Sequence, residues 1–288
     1  MSNKTKKKSR RLICILLSFI ILVIIALWNQ PVNRTYTVKT DKLKSTIKIV
    51  HLSDLHSTKY GKNQERLIKR VTNENPDLVV LTGDIVDDIK DEEGAYLLVK
   101  GLVDEYPVYY VSGNHENWHL ATESIYQELV NMGVVVLRDR HEIISINGEE
   151  IMVAGIMDPD RSIKSNQEVT MLKSLNSVGF DEIPEGTSDL FTVLLTHRPE
   201  YYELYKKYPI DIVLTGHSHG GQVRIPFLIN GLYAPDQGYF PKYAGGYYKM
   251  KTYDMIVSRG LSLSFWLPRV FNPPEVVIIN VIGGEDEE

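Results

Sequence analysis

Five short, mostly apolar runs that each stop at aspartate, asparagine or histidine constrain this chain more than any other feature. Ile47–Leu52 ends in Ser53-Asp54-Leu55-His56, and Leu78–Leu81 ends in Thr82-Gly83-Asp84. Val108–Val111 ends in Ser112-Gly113-Asn114-His115-Glu116. Val193–Leu195 ends in Thr196-His197, and Ile210–Leu214 in Thr215-Gly216-His217-Ser218-His219. Runs this short and continuous read as strands buried on both faces, because a strand exposed on one face would alternate. Helical spacing separates the early ones: Asn63–Asn75 carries Leu67, Ile68 and Val71, and helices are predicted over Glu92–Glu105 and Thr122–Met132. Strands alternating with helices predict a mostly parallel sheet and an α/β or α+β class. Later, Ile143–Ile146 and Ile151–Ala154 flank Asn147-Gly148, a hairpin signal. Glu275–Ile282 reads as a last strand, after Pro273-Pro274. Residues 158–189 are polar, lack a strand pattern and read as a lid.

Composition supports an ordinary globular body. Apolar residues make up 43% and charged residues 24% of 288, which excludes disorder, collagen or coiled coil as the main architecture. The single cysteine, Cys14, excludes an intrachain disulfide framework and any CxxC metal site. The net charge of −5 hides an asymmetry. Residues 1–11 hold six basic groups and no acid, so the remainder has 26 basic against 37 acidic residues, a balance of −11. A body this acidic is a poor partner for a nucleic-acid backbone.

Leu12–Trp28 is 17 residues long and interrupted only by Ser18. At 1.5 Å per residue a helix there spans roughly 25 Å, near the lower limit for crossing a bilayer. The basic tail before it favours a cytoplasmic N-terminus. Three readings compete. A cleaved signal peptide lacks support, because Asn29-Gln30-Pro31 offers no small-x-small cleavage pattern. A twin-arginine leader has Ser9-Arg10-Arg11 in its favour but a strongly apolar run against it. The preferred reading is an uncleaved single-pass anchor: residues 1–11 as cytoplasmic tail, 12–28 as membrane helix, 29–46 as polar stalk and 47–283 as a catalytic domain outside the cytoplasm.

The chemistry falls at the strand ends, where ligands gather in open α/β sheets. Only Asp, His and Asn recur there, and five of the eight histidines lie in these motifs. Asp54 and His56, two apart on a turning chain, can reach one cation, whereas His217 and His219, two apart in a Gly-rich turn, could direct one imidazole to each of two cations. Asp84 has two oxygens and can bridge two cations; Asn114 offers a neutral carbonyl oxygen. Carboxylate with imidazole suits zinc, iron or manganese. Two such cations could clamp the attacking and leaving oxygens of an in-line displacement.

Taken together, Asp54-Leu55-His56, Gly83-Asp84, Gly113-Asn114-His115-Glu116, His197 and Gly216-His217-Ser218-His219 resemble the calcineurin-like metallophosphoesterase signature, in order and with a spacing of 30 positions from Asp54 to Asp84 and again from Asp84 to Asn114. Lys242-Tyr243-Ala244-Gly245, Ser258-Arg259-Gly260 and Pro273-Pro274-Glu275 resemble the exported bacterial YkuE/YaeI-type branch. Some of those relatives carry a twin-arginine leader, where this chain has an anchor-like one. The resemblance implies a four-layer αββα sandwich and two divalent metal ions (manganese, iron or zinc). It implies one ion on Asp54, His56, Asp84 and His219, and the other on Asp84, Asn114, His197 and His217. A bridging hydroxide would attack phosphorus, and His115 would protonate the leaving alkoxide or stabilise the transition state. The substrate class implied is a phosphodiester or phosphomonoester, and the anchor suggests a lipid- or wall-linked one.

Two rivals differ in class. A catalytically weak scaffold or binding module of the same fold would lack a ligand or the histidine after Asn114, and none is missing. A lactamase-type dinuclear hydrolase would need an HxHxDH run, which is absent. Arg259 and Tyr243 are candidate substrate contacts, Arg259 alternatively making a structural ion pair. The tyrosines 233, 239, 243, 247, 248 and 253 read chiefly as packing of a long loop. The acids Asp87, Asp88, Asp91, Glu92 and Glu93 read as a solvated helix start.

Overall fold

The structure, a computed structural model, describes residues 3–159, 166–180, 189–263 and 267–284. Helix α1 covers Asn3–Ala26. Its Lys7–Ala26 portion is long and apolar enough to cross a membrane, and none of that apolar window is buried in the protein. Two six-stranded sheets make up the body. The first contains β1 (Val32–Thr40), β2 (Ile47–Leu52), β3 (Leu78–Thr82), β4 (Val108–Val111), β5 (Val135–Val136) and β14 (Glu275–Gly283), in the order β1-β14-β2-β3-β4-β5. The second contains β6 (Arg140–Ile146), β7 (Glu149–Gly155), β8 (Phe191–Leu195), β9 (Ile212–Thr215), β12 (Gly246–Lys249) and β13 (Asp254–Val257), in the order β12-β13-β9-β8-β7-β6. A small hairpin, β10 (Tyr233–Ala234) with β11 (Gly238–Tyr239), lies between β9 and β12 in sequence.

Alternation along each strand explains the layers. Val50, Val79, Leu81 and Tyr110 face outward onto α2 (Glu65–Thr72), α3 (Glu93–Lys100) and, after the short α4 (Asn114–Trp118), α5 (Thr122–Asn131) through Leu67, Leu98 and Leu129. Their neighbours Ile49, Val80, Tyr109 and Val111 point the other way, against Ile151, Val193 and Leu214 of the second sheet. That sheet's far face, with Met152, Leu194 and Val213, packs on α6 (Gln167–Ser177) and α7 (Tyr202–Tyr205). Each central strand is therefore apolar on both faces, and the four layers are helices, sheet, sheet, helices. The expected αββα sandwich is what the chain forms. Asn147 and Gly148, both at positive φ (54° and 81°), join β6 to antiparallel β7 as the hairpin signal predicts.

The expected stalk is corrected. Residues 32–40 form an edge strand that runs parallel to β14 from Val32↔Glu275 to Thr40↔Gly283. Val38 and Leu43 are buried in the core between the sheets. The body thus starts near residue 32 rather than 47. The segment reads as polar because most of β1 faces solvent. Two helices are shorter than the spacing predicts, ending at Thr72 and Lys100. Within 158–189, α6 is a packed helix; the rest of the expected lid, 160–165 and 181–188, lies outside the described residues.

Leu43→Ala distinguishes an integrated strand from a stalk. Removing a buried leucine costs about 2–5 kcal/mol through lost transfer energy and a residual cavity. Chemical denaturation of the detergent-solubilised protein checks this; a change within about 0.5 kcal/mol, as at ordinary surface sites, would restore the stalk.

Candidate metal centre

The carboxyl ends of β2, β3, β4, β8 and β9 meet along one rim, and the strand-end motifs meet with them. Asp54, His56, Asp84 and His219 bring ligating atoms within 4.8 Å of one another, and Asp84, His197 and His217 form an adjoining group. The two groups share Asp84, whose Oδ2 lies 3.5 Å from His56 Nε2 and 3.3 Å from His197 Nε2. His219 Nε2 is 3.3 Å from both Asp54 Oδ1 and His56 Nε2. His217 Nδ1 is 3.2 Å from His197 Nε2. Asn114 is buried, and its Oδ1 has no hydrogen-bond partner. A buried amide oxygen left unpaired is costly unless it meets a cation. The donor set of carboxylate, imidazole and amide oxygen fits divalent cations, and this unpaired oxygen is what a ligand awaiting one looks like.

Backbone conformation aims these side chains. Asp54, His56, Asp84, His217 and His219 all have positive φ, between 47° and 68°. Such residues are uncommon outside glycine, and Asp, Asn and His are the types that tolerate it. A left-handed turn immediately after a strand lets side chains two apart converge instead of alternating. Close backbone approach is equally needed. A Cβ on Gly113 would fall 2.3 Å from Asp84 Oδ1, and one on Gly83 would fall 2.3 Å from Gly113 N. Glu116 fastens the two loops, accepting hydrogen bonds from the backbone N–H of Asp84, Ile85, Val86 and Gly113.

Every ring in the cluster has its other nitrogen engaged. His197 Nδ1 faces the Thr82 carbonyl at 2.7 Å, which only an N–H can do, so Nε2 is left for a ligand. His56 Nδ1 meets Asp87 Oδ2 at 3.2 Å, and His219 Nδ1 meets Ser262 Oγ at 3.0 Å. His217 presents the opposite atoms, with Nε2 on Asp236 Oδ2 at 3.0 Å. Such partners fix tautomer and ring orientation at metal sites.

His115 sits beside the cluster, its ring edge-on to His56 with centroids 4.3 Å apart. Its backbone N–H donates to Asp84 Oδ1, and Nδ1 pairs with Asp88 Oδ1 at 2.6 Å. A cavity of about 250 Å³ opens here, lined by Asp84, Asn114, His115, Trp118, Arg198 and Asp236 among others. Arg198 is almost wholly buried and clamped: Nε and Nη2 reach both oxygens of Asp158, and Nη1 donates to Asp236 Oδ2 at 2.6 Å.

Several expectations change. Arg259 is absent from this lining; it faces Glu275 at 3.4 Å, the structural ion pair. Tyr243 is buried against Tyr202 and Tyr248, and only its backbone approaches the site, accepting from Ser218 Oγ. No tyrosine from 233 to 253 lines the cavity. The acids read as a solvated helix start include Asp87 and Asp88, which orient His56 and His115. Arg198, Asp158 and Asp236 were not singled out by sequence. Only the position of Arg198, directly after a strand-end histidine, hinted at it.

Comparison with known proteins agrees with the geometry. Residues 47–221 match the family model for calcineurin-like phosphoesterases. An uncharacterized metallophosphoesterase of Campylobacter jejuni is 31% identical over 88% of this chain, which spans 64% of that protein's length. One from Aquifex aeolicus is 30% identical, covering 86% of this chain and 90% of its own. YkuE of Bacillus subtilis, also uncharacterized, is 27% identical over 81% of this chain and 78% of its own length. Among solved structures, a Thermus thermophilus protein aligns with a TM-score of 0.49 at 14% identity, covering 76% of this chain and 92% of that one. The fold and rim define a metal-dependent phosphoesterase class. The chain belongs to the calcineurin-like phosphoesterase family.

Proton linkage follows from the charges. Burial disfavours the His197 imidazolium, but Asp84, through its charge and hydrogen bond, together with Asp54 pushes it up to about 10. Burial likewise disfavours charge on His56, yet Asp87 and Asp84 raise it. His217 is lowered to about 4, chiefly by burial. At pH 7 the metal-free cluster therefore holds a proton on His197 Nε2, the atom left free of protein carbonyls to face a cation. Binding expels it, so affinity rises with pH up to about 10, by about tenfold per pH unit for each proton released. Titration calorimetry of manganese into chelator-treated protein, in buffers of different ionisation enthalpy, should show net proton release at pH 7; none would contradict the linkage.

Proposed function

We propose that the protein is a membrane-anchored phosphoester hydrolase with two divalent metals, working outside the cytoplasm on a phosphodiester or phosphomonoester of envelope material. One observation carries the reading: two carboxylates, four imidazoles and an unpaired amide oxygen converge around one shared aspartate. Asp54, His56, Asp84 and His219 would hold one cation, and Asp84, Asn114, His197 and His217 the other. Bound there, divalent cations supply Lewis acidity toward a phosphoryl oxygen and a water made nucleophilic near neutral pH.

The remaining chemistry belongs to the side chains. His115 donates a proton to the leaving alkoxide, with Asp88 on Nδ1 holding the ring so that Nε2 is the reacting nitrogen. Arg198 holds a guanidinium at the cavity wall, fixed in position by Asp158, Glu200 and Asp236, whose carboxylates offset its charge. Trp118 and Pro235 wall the opening. The exposed, apolar α1 supports the anchor, and the basic residues before it support a cytoplasmic N-terminus.

The full-length protein in detergent, loaded with manganese, should hydrolyse mono- or bis-nitrophenyl phosphate. His115→Ala should retain metal but lose about 10²–10⁴-fold in kcat, the usual share of a general acid. Asp84→Asn should lose metal and activity together. Undiminished turnover in either variant would overturn the assignment. Orientation has its own readout: protease added to intact cells should remove the body, and full protection would place it inside.

A further inference from the structure

A second cavity, of about 540 Å³, lies behind the ligand loops and is lined by Arg34, Arg224 and Arg259 together with Phe227, Leu228 and Phe271. Three guanidiniums line it, and two of them face one carboxylate. Glu275 Oε2 is 3.8 Å from Arg34 Nε and 3.4 Å from Arg259 Nε. Arg259 Nε has no hydrogen-bond partner although it is buried. Arg224 donates to neutral acceptors, the Gly220 carbonyl and Asn230 Oδ1. Among the described residues no other acid pairs with any of the three. The cavity is therefore a net cationic site in a body whose overall balance is acidic.

Its rim is apolar and exposed. Phe227 is 107% and Leu228 82% exposed, at the tip of a turn closed by Ile225 and Ile229 backbone hydrogen bonds. Phe227 has φ of +68°, a conformation an aromatic residue seldom adopts. The turn thus holds two large apolar side chains away from the core, where water offers them nothing.

The third observation locates this surface. Phe271, in the cavity lining, donates its backbone N–H to the Ala26 carbonyl at 2.7 Å. That carbonyl is among the last of α1, which have no partner within the helix. The body thereby caps the apolar helix where its membrane-crossing stretch ends, with Trp28 two residues on. Cationic cavity, protruding apolar turn and helix exit share one side of the molecule.

We propose that this cavity seats the phosphate of an anionic phospholipid headgroup in the leaflet that α1 leaves, while Phe227 and Leu228 enter the acyl boundary. Guanidiniums match phosphate oxygens in geometry and charge, and the apolar turn matches the layer just beneath the headgroups. The catalytic body then lies against the bilayer instead of swinging from a tether. The inference rests on the anchor reading of α1. It gives Arg259, which does not line the metal cavity, a phosphate of a different kind.

The test uses full-length Cys14→Ser/Leu228→Cys protein carrying an environment-sensitive nitrobenzoxadiazole label, reconstituted in nanodiscs. Phosphatidylcholine discs containing phosphatidylglycerol should give blue-shifted emission relative to phosphatidylcholine alone. Arg34→Glu and Arg224→Glu should each abolish the shift. The Arg34 side chain is 44% exposed, so its reversal should keep nitrophenyl phosphate turnover in detergent, which verifies folding. Protein that stays with the discs but emits identically in both lipids would overturn the proposal and leave the anchor intact. Protein that does not co-elute with discs would overturn the anchor and this proposal with it. A shift that needs only inorganic phosphate, with no response to phosphatidylglycerol, would also overturn it, marking a site for the free anion.

Discussion

Two carboxylates held out of water set the terms for the rest of this structure. Asp54 and Asp84 are essentially inaccessible to solvent, and an ionised group in such a place must be offset locally or not form. Burial and the charge of Asp84 raise Asp54, whereas His197 outweighs burial at Asp84 and holds it well below the usual carboxylate range. In the absence of metal the offset is made by protons on imidazoles. Divalent cations are the stronger solution, and the neutral His217 and His219, together with the unpaired oxygen of Asn114, are suited to them. A single electrostatic requirement thus accounts for the donor types, their tautomers and the carboxylates behind them.

Meeting that requirement strains the backbone. Five clustered side chains stand at positive φ, a cost of order 1–3 kcal/mol each. The two sheets absorb it. Their strands are buried on both faces, so the ends can be irregular without loosening the frame. Glu116 shows how tightly rim and frame are tied: one buried carboxylate satisfies four backbone donors from two loops. The acids beside the site divide by task. Asp87, Asp88 and Asp236 hold histidines, and Asp158 holds Arg198, the cation nearest the cavity.

Features that were readable from sequence share a physical origin. A strand apolar on both faces leaves a short run, and a primed hairpin turn leaves Asn-Gly, because each is dictated locally. β1 left no such trace. Its residues Val32–Thr40 are mostly solvent-facing, and it forms only by pairing with β14, more than 200 residues away. Asp87 and Asp88 misled for the same reason. A local reading sees acids at a helix start; the histidines they hold come from elsewhere in the chain. The tyrosines after residue 232 were equally ambiguous; Tyr233 packs edge-on to Tyr239 and Tyr243 edge-on to Tyr248, while Asp236, from the same stretch, reaches the site.

The order of apolar runs and the residues ending them were sufficient to determine the α/β character of the body, the ligand types and the apolar N-terminal helix, since each follows from burial periodicity or side-chain chemistry within a few residues; the four layers were implied by the family resemblance. Tertiary structure alone decided which atoms meet. It placed β1 in the sheet, turned Arg259 away from the metal cavity, brought Arg198 into it, and set a cationic pocket beside the end of α1. These outcomes depend on distances between residues far apart in sequence, and only the packing of two twisted sheets against each other sets those distances.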